Sequence, residues 1–156
     1  MKFTPADEAA VRRALDVAYA MGDSADVPIG AVVLDPSGVV IGVGANTREI
    51  DADPTGHAEI LALRSAGAAL GQWRLSGCTL AVTLEPCAMC AGAAVLARVE
   101  RIVFGAWDAK AGAAGSLWDL PRDPRLNHRP EVVGGVLADE CGTLLREWFA
   151  THRESD

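Results

Sequence analysis

His57 and Glu59 stand two residues apart, and Cys87 and Cys90 stand three apart; together they offer one imidazole, one carboxylate and two thiolates. An imidazole and two thiolates suit zinc. Three protein ligands leave a tetrahedral ion one open position, where a water can be bound and activated, whereas a structural site fills all four positions. The remaining carboxylate, Glu59, need not be a ligand. The residue types thus point to hydrolytic chemistry by metal-activated water.

The spacing asks for particular elements. Cys87 and Cys90 share one face if they lie on a helix, and Pro86 fits the first helical position, where its missing N–H costs nothing. The preceding run Thr79-Leu80-Ala81-Val82-Thr83-Leu84 reads as a buried strand. Strand, Pro, then two cysteines in a first helical turn places both thiols where the helix dipole favours thiolate. His57 follows the turn-rich Asp53-Pro54-Thr55-Gly56 and precedes the apolar Ile60-Leu61-Ala62-Leu63, so it too should open a helix. Midway along a helix, residues two apart diverge by roughly 200°. His57 and Glu59 can therefore serve one site only at that helix's first turn, with two helix N-termini converging on one metal.

Other readings of the same residues are weaker. A thioredoxin-like Cys-x-x-Cys pair leaves the His-Ala-Glu segment without a role. Cys78 as a fourth ligand would make the site structural, but its place at the start of an apolar strand fits a core thiol. Cys141, within Leu137-Ala138-Asp139-Glu140-Cys141, reads as a packing residue on a helix.

The elements alternate. A first helix is expected from about Pro5 to Ala20, with Thr4 as its cap and Val11, Leu15 and Ala18 at helical spacing. Strands near Ile29–Leu34 and Val39–Gly44 flank the turn signal Asp35-Pro36-Ser37-Gly38. The His57 helix, the Leu80 strand and the Cys87 helix follow. Then come a strand near Arg101–Phe104, a Gly/Ala-rich loop through Ser116, a strand at Val132 and Val133, and a helix from Leu137 to about His152. With no repeat or linker, residues 1–156 form one domain, and this order suits a mixed sheet with helices on both faces. The acidic Asp7-Glu8 start is no signal peptide, and no long apolar span is present. The chain is expected to be cytoplasmic, with no membrane association and with reduced cysteines rather than a disulfide framework.

The pair His57-Ala58-Glu59 and Pro86-Cys87-Ala88-Met89-Cys90 matches the zinc deaminase signature H-x-E…P-C-x-x-C. Further stretches carry a narrower likeness, among them Val27-Pro28-Ile29-Gly30-Ala31, Asp108-Ala109-Lys110, Gly112-Ala113-Ala114-Gly115-Ser116-Leu117 and Asn127-His128-Arg129. On these the chain closely resembles the bacterial tRNA-specific adenosine deaminases over nearly its whole length. The resemblance implies a cytidine-deaminase-like three-layer α/β/α fold with a five-stranded mixed sheet. It implies one Zn2+ per subunit held by His57, Cys87 and Cys90, and Glu59 as the proton shuttle. The implied reaction is deamination of adenosine to inosine at the wobble position of an arginine tRNA anticodon loop, by a homodimer. The same resemblance places Asn46 against the purine edge and Asp108 and Lys110 on the RNA backbone, and the apolar Val27 and Ile29 are candidates to pack the base.

Asn127 and His128 lie in a run with Arg122, Arg125 and Arg129, the densest basic stretch in the chain, and are candidate RNA contacts. Net charge nevertheless stands at −7, where RNA binders usually carry a basic footprint. The terminal Thr151–Asp156 lacks the basic tail of some relatives, and Trp107 stands where some carry arginine. The acidic balance keeps open a rival, a free-base or nucleoside deaminase acting on guanine, cytosine or adenosine. A non-catalytic zinc protein is a third reading, against which the retained Glu59 speaks. The small residues of the Ala88–Ala97 segment suit either close packing between subunits or a tight core of its own.

Overall fold

The computed structural model describes residues 3–152. Readings made of Met1, Lys2 and residues 153–156 lie outside them. The elements run α1 (Pro5–Ala20), β1 (Gly30–Leu34), β2 (Val40–Ala45), α2 (Ala58–Leu70), β3 (Thr79–Leu84), α3 (Ala88–Leu96), β4 (Arg101–Ala106), β5 (Glu131–Val133) and α4 (Ala138–His152), with a 3-10 turn at Leu120–Arg122. The five strands form one sheet in the order β2-β1-β3-β4-β5. β1 is antiparallel to β2 and β3, while β3, β4 and β5 run parallel. This is the mixed sheet the alternation predicted.

Period-two alternation divides the core. Ala31 and Val33, Leu80 and Val82, and Ile102 and Phe104 face one side, where they pack with Ala58, Ala62 and Ala66 of α2 and Ala94 of α3. Val32 and Leu34, Ala81 and Val103 face the other, against Val11 and Leu15 of α1 and Cys141 of α4. The result is three layers, α2/α3, sheet, and α1/α4. Cys141 is thus a packing residue, and Cys78 is buried in the α2/α3-side core. All four cysteines are free thiols.

Local chemistry starts and stops these elements. Thr4 and Asp7 close a capping box on α1, each side chain accepting the other's backbone N–H at 3.0–3.1 Å, with Pro5 opening the helix. Asp35 Oδ1 accepts the N–H groups of Ser37 and Val39, and Gly38 takes φ +87°, which closes the β1–β2 hairpin. On β2, Gly42 and Gly44 face α2. A side-chain carbon at Gly44 would lie 2.6 Å from the Ala62 nitrogen, and one at Gly42 2.8 Å from that of Ala66. Bare backbone here lets α2, with His57 and Glu59 at its start, lie directly on the sheet.

Element ends differ from expectation by a residue or two. β4 continues through Ala106 because Leu84 pairs with it. The larger correction concerns Pro86, which precedes the helix instead of opening it. Cys87 is the N-cap, with φ −73° and ψ 178°, and only Cys90 lies within α3. The Ala113 N–H donates to the Pro86 carbonyl at 2.8 Å and Cys87 bridges to Gly112, so both residues are held extended.

Candidate active site

Two helix starts meet on the α2/α3 side of the sheet. His57 is the N-cap of α2, extended at φ −79° and ψ 149°, and Glu59 lies in the first helical turn. That change of backbone conformation between them resolves the divergence two mid-helix residues would show. His57 Nδ1 lies 3.6 Å from Cys87 Sγ and 3.5 Å from Cys90 Sγ. All three donor atoms fall within 4.8 Å of one another, and Glu59 is not part of that group.

The spacing fits zinc. With Zn–N of about 2.0–2.1 Å and Zn–S of about 2.3 Å, tetrahedral coordination separates nitrogen and sulfur donors by about 3.5–3.6 Å. Two thiols and one imidazole are also a ligand set that zinc prefers over magnesium or calcium, whose partners are oxygens.

Without the ion, the group shares protons unevenly. A hydrogen bond from Cys90, with His57 alongside, holds the Cys87 thiol down to about 4 against the opposing effect of burial. Cys90, the partner in that bond and itself buried, is pushed up. The hydrogen bond to Cys87 raises His57 above its usual value, although burial opposes it. Burial pushes the Glu59 carboxyl up to about 7; Cys87 adds to the rise, and its backbone hydrogen bond and His57 oppose it. Glu59 is 5% exposed, a largely dry carboxyl on the wall of a cavity.

A cavity of about 730 Å3 opens over these residues, a size suited to a ligand larger than one base ring. Val27, Ile29, Asn46, Asp108 and Lys110 line it together with His57, Glu59 and Cys87. Asn46 is tied at both ends of its amide. Nδ2 donates to the Val27 carbonyl at 3.1 Å and Oδ1 accepts the Arg48 N–H at 3.2 Å, leaving one N–H and one lone pair for a ligand. Asp108 Oδ1 accepts the N–H groups of Lys110 and Ala111, which shapes the turn carrying the Lys110 ammonium.

Asn127 and His128 are not brought to this cavity. His128 Nε2 donates to the Val99 carbonyl at 2.6 Å, tying its loop to the connection between α3 and β4. The basic run around them is also partly neutralised, since Arg122 pairs with Asp119 at 2.8 Å and Arg125 with Asp123 at 2.6 Å.

Sequence reading missed Glu85. It is 2% exposed and accepts the N–H groups of Asp108, Ala114 and Ser116 at 2.9–3.0 Å, and the Ser116 hydroxyl as well. One carboxylate beside Pro86 and Cys87 thus fixes the loop that carries Asp108 and Lys110 over the cavity. Gly112 keeps the space for it, because a side-chain carbon there would run into the Glu85 carboxylate and lie 2.5 Å from the Asp108 carbonyl. The available signal was a lone charge between an apolar strand and a proline. Arg48, Trp107, Leu145 and Phe149 also line the cavity and were not read as site residues.

Comparison with known proteins agrees with this geometry. The family described as the cytidine and deoxycytidylate deaminase zinc-binding region matches residues 4–106. The tRNA-specific adenosine deaminase of Bacillus subtilis is 47% identical over 148 residues, covering 95% of this chain and 91% of that protein. The solved structure of a tRNA:A34 deaminase, which edits A to I at the wobble position of transfer RNA, superposes with a TM-score of 0.82 at 42% identity. It covers 88% of this chain and 99% of that one. Guanine deaminase from Nitrosomonas europaea superposes with a TM-score of 0.76 at 31% identity, covering 96% and 87%. With His57, Cys87 and Cys90 grouped to hold a metal and a fold shared with these proteins, the chain is a member of the cytidine and deoxycytidylate deaminase family, within its group of tRNA-specific adenosine deaminases.

Proposed function

We propose that this protein converts adenosine to inosine at the wobble position of the anticodon loop of an arginine tRNA, with one Zn2+ per subunit. The observation that carries the reading is the convergence of His57, Cys87 and Cys90 beside buried Glu59 on a cavity wide enough for more than the target base. A zinc ion held by the three ligands supplies the Lewis acidity that makes a water nucleophilic near neutral pH. Val27 and Ile29 pack the adenine, and the spare amide positions of Asn46 meet its edge. The Glu59 carboxylate takes a proton from the attacking water and returns it to N1 of the ring. It then carries the second to the departing 6-amino group, so that water enters at C6 and ammonia leaves. Asp108 and Lys110 meet the RNA backbone at the mouth. Any contact of Asn127 or His128 with RNA falls outside the cavity, on the flank formed by residues 122–129.

RNA is favoured over a free base because an anticodon loop presents bases already unpaired, which lowers the cost of extrusion. The second reading, a free nucleobase or nucleoside deaminase, draws on the likeness to guanine deaminase and on the net charge of −7. Incubation of the zinc-loaded protein with an arginine tRNA anticodon stem-loop, and in parallel with free adenosine, cytosine and guanine, separates the two. Inosine at the wobble position supports the first reading; ammonia from a free base with untouched RNA supports the second. Glu59→Ala should retain the metal and lose about 10²–10⁴-fold or more in turnover.

The same reading places the protein in the cytoplasm, where tRNA is modified. No described helix is long and apolar enough to cross a membrane. It also makes the protein a homodimer through the α2/α3 face, where Trp73, Leu96, Leu117 and Trp118 are exposed. Ala91 and Ala94 of the small-residue run are buried in the subunit's own core, which leaves Gly92, Ala93 and Leu96 for such packing. Sedimentation of wild type against Leu96→Glu tests it.

A further inference from the structure

Trp107 is the one large aromatic that follows β4 into the cavity wall, and it is 53% exposed. Its ring is nonetheless held. It stands edge-to-face on Phe104, with centroids 4.8 Å apart and planes at 90°. It also rests on bare backbone, since side-chain carbons at Gly134 and Gly135 would lie 2.8 Å and 3.2 Å from ring atoms, and one at Gly115 3.3 Å. A flat, fixed, half-open π-surface therefore borders the same cavity as Glu59, with the exposed Phe149 also on its lining.

Cations are scarce there. Among the described residues Arg48 and Lys110 are the only two on the lining, in a chain of net charge −7; Arg48 already pairs with Glu49 at 3.6 Å, and Arg122 and Arg125 are paired as well. A nucleic acid held at this mouth cannot rely on many phosphate contacts. Stacking is the sequence-tolerant alternative, because every base has a π-face, and a fixed ring loses little entropy on engaging it.

Resting on the RNA reading above, we propose that Trp107 is a stacking platform for an unpaired base next to the deaminated one, so that this protein holds its RNA by base stacking where charge is lacking. The target base goes to the buried end, at Val27, Ile29, Asn46 and Glu59, and its neighbour lies on the indole at the rim.

The test measures anticodon stem-loop affinity by fluorescence anisotropy in the Glu59→Ala background, so that binding is read without turnover. Trp107→Ala should weaken binding about 5- to 150-fold, the range expected for loss of one base–aromatic stack, and Trp107→Phe should restore most of it. An abasic site at one neighbour of the wobble adenosine should cost the Trp107 protein a similar factor and cost Trp107→Ala protein little. Losses that multiply instead of overlapping overturn the proposal, since a merely structural role for Trp107 is indifferent to the neighbouring base. The abasic series on protein retaining Trp107 stands even if Trp107→Ala does not fold, and insensitivity to both neighbours overturns the platform alone, provided the wild type edits the stem-loop. A wild type that leaves the stem-loop unedited and deaminates a free base overturns the RNA reading and the platform together.

Discussion

Replacing Glu85 by alanine should damage the protein more than removal of any other single side chain on the cavity lining, although Glu85 touches none of the reacting groups. Its carboxylate accepts three backbone N–H groups and one hydroxyl from a loop 23–31 residues further along the chain. Alanine leaves those donors facing a void. Each unsatisfied buried donor costs about 1–3 kcal/mol. The Asp108 and Ser116 groups are only partly buried, so water can recover part of the loss, and the net cost is about 3–6 kcal/mol. Against a total stability of about 5–15 kcal/mol this is severe. For a chain of this length it corresponds to a melting temperature lower by about 6–24 °C. Ser116→Ala removes a single bond and should cost about 2–4 °C. Glu85→Gln should fall between, because it preserves volume and one oxygen but turns an NH2 toward backbone donors. Gly112→Ala should resemble Glu85→Ala, because its side chain needs the space the carboxylate fills. Thermal melts of the four variants, with hydrogen exchange across residues 108–116, measure the series. A Glu85→Ala protein melting within about 3 °C of wild type, with the loop still protected, would refute the reasoning.

Gly44→Ala should lift α2 off β2 and loosen zinc retention, which a chelator competition assay would register as faster metal loss; unchanged retention would count against close packing as the support of His57. Binding of the stem-loop should show a shallow salt dependence. Two phosphate contacts, through Lys110 and through Arg48 drawn from its exposed pair with Glu49, give a slope of log K on log salt of about −1.4 to −1.8, and a slope steeper than about −4 would contradict the scarcity of cations at the mouth. Burial alone would raise the Asp7 carboxyl. The Thr4 backbone N–H, Arg101 and the Thr4 hydroxyl outweigh it and hold Asp7 below its ordinary value of 3.8. A depressed carboxylate stabilises above its unfolded pKa and loses that contribution as pH falls through the folded one. The urea midpoints of wild type and Asp7→Asn should therefore differ by a constant amount above about pH 5 and converge below about pH 4. A gap that widens toward acid would reverse the sign of the argument.

What could be read from the sequence was what few residue types can do. Imidazole and thiolate are the common zinc ligands, so His57, Cys87 and Cys90 announced their chemistry before any fold was known, and the donor distances of 3.5–3.6 Å agree. The sheet was legible for a similar reason, since Val32 and Val33 or Ile102 and Val103 can only alternate between two cores. Glu85 escaped because a carboxylate has no fixed meaning along the chain. Its role is decided by which backbone donors a distant loop brings to it, and those lie after β4. The run Arg122, Arg125 and Arg129 shows the same dependence on partners. Counting its positive charges ignored Asp119 and Asp123, which the 3-10 turn and the following bend bring within ion-pair distance. The two cases share a cause. Charge acts through partners, and partners three residues away on a turn or thirty away across a sheet are set by backbone geometry. An acidic protein can therefore still hold a polyanion where a fixed aromatic face, Lys110 and the exposed Arg48–Glu49 pair border one buried carboxylate, and the net charge of the chain describes that mouth poorly.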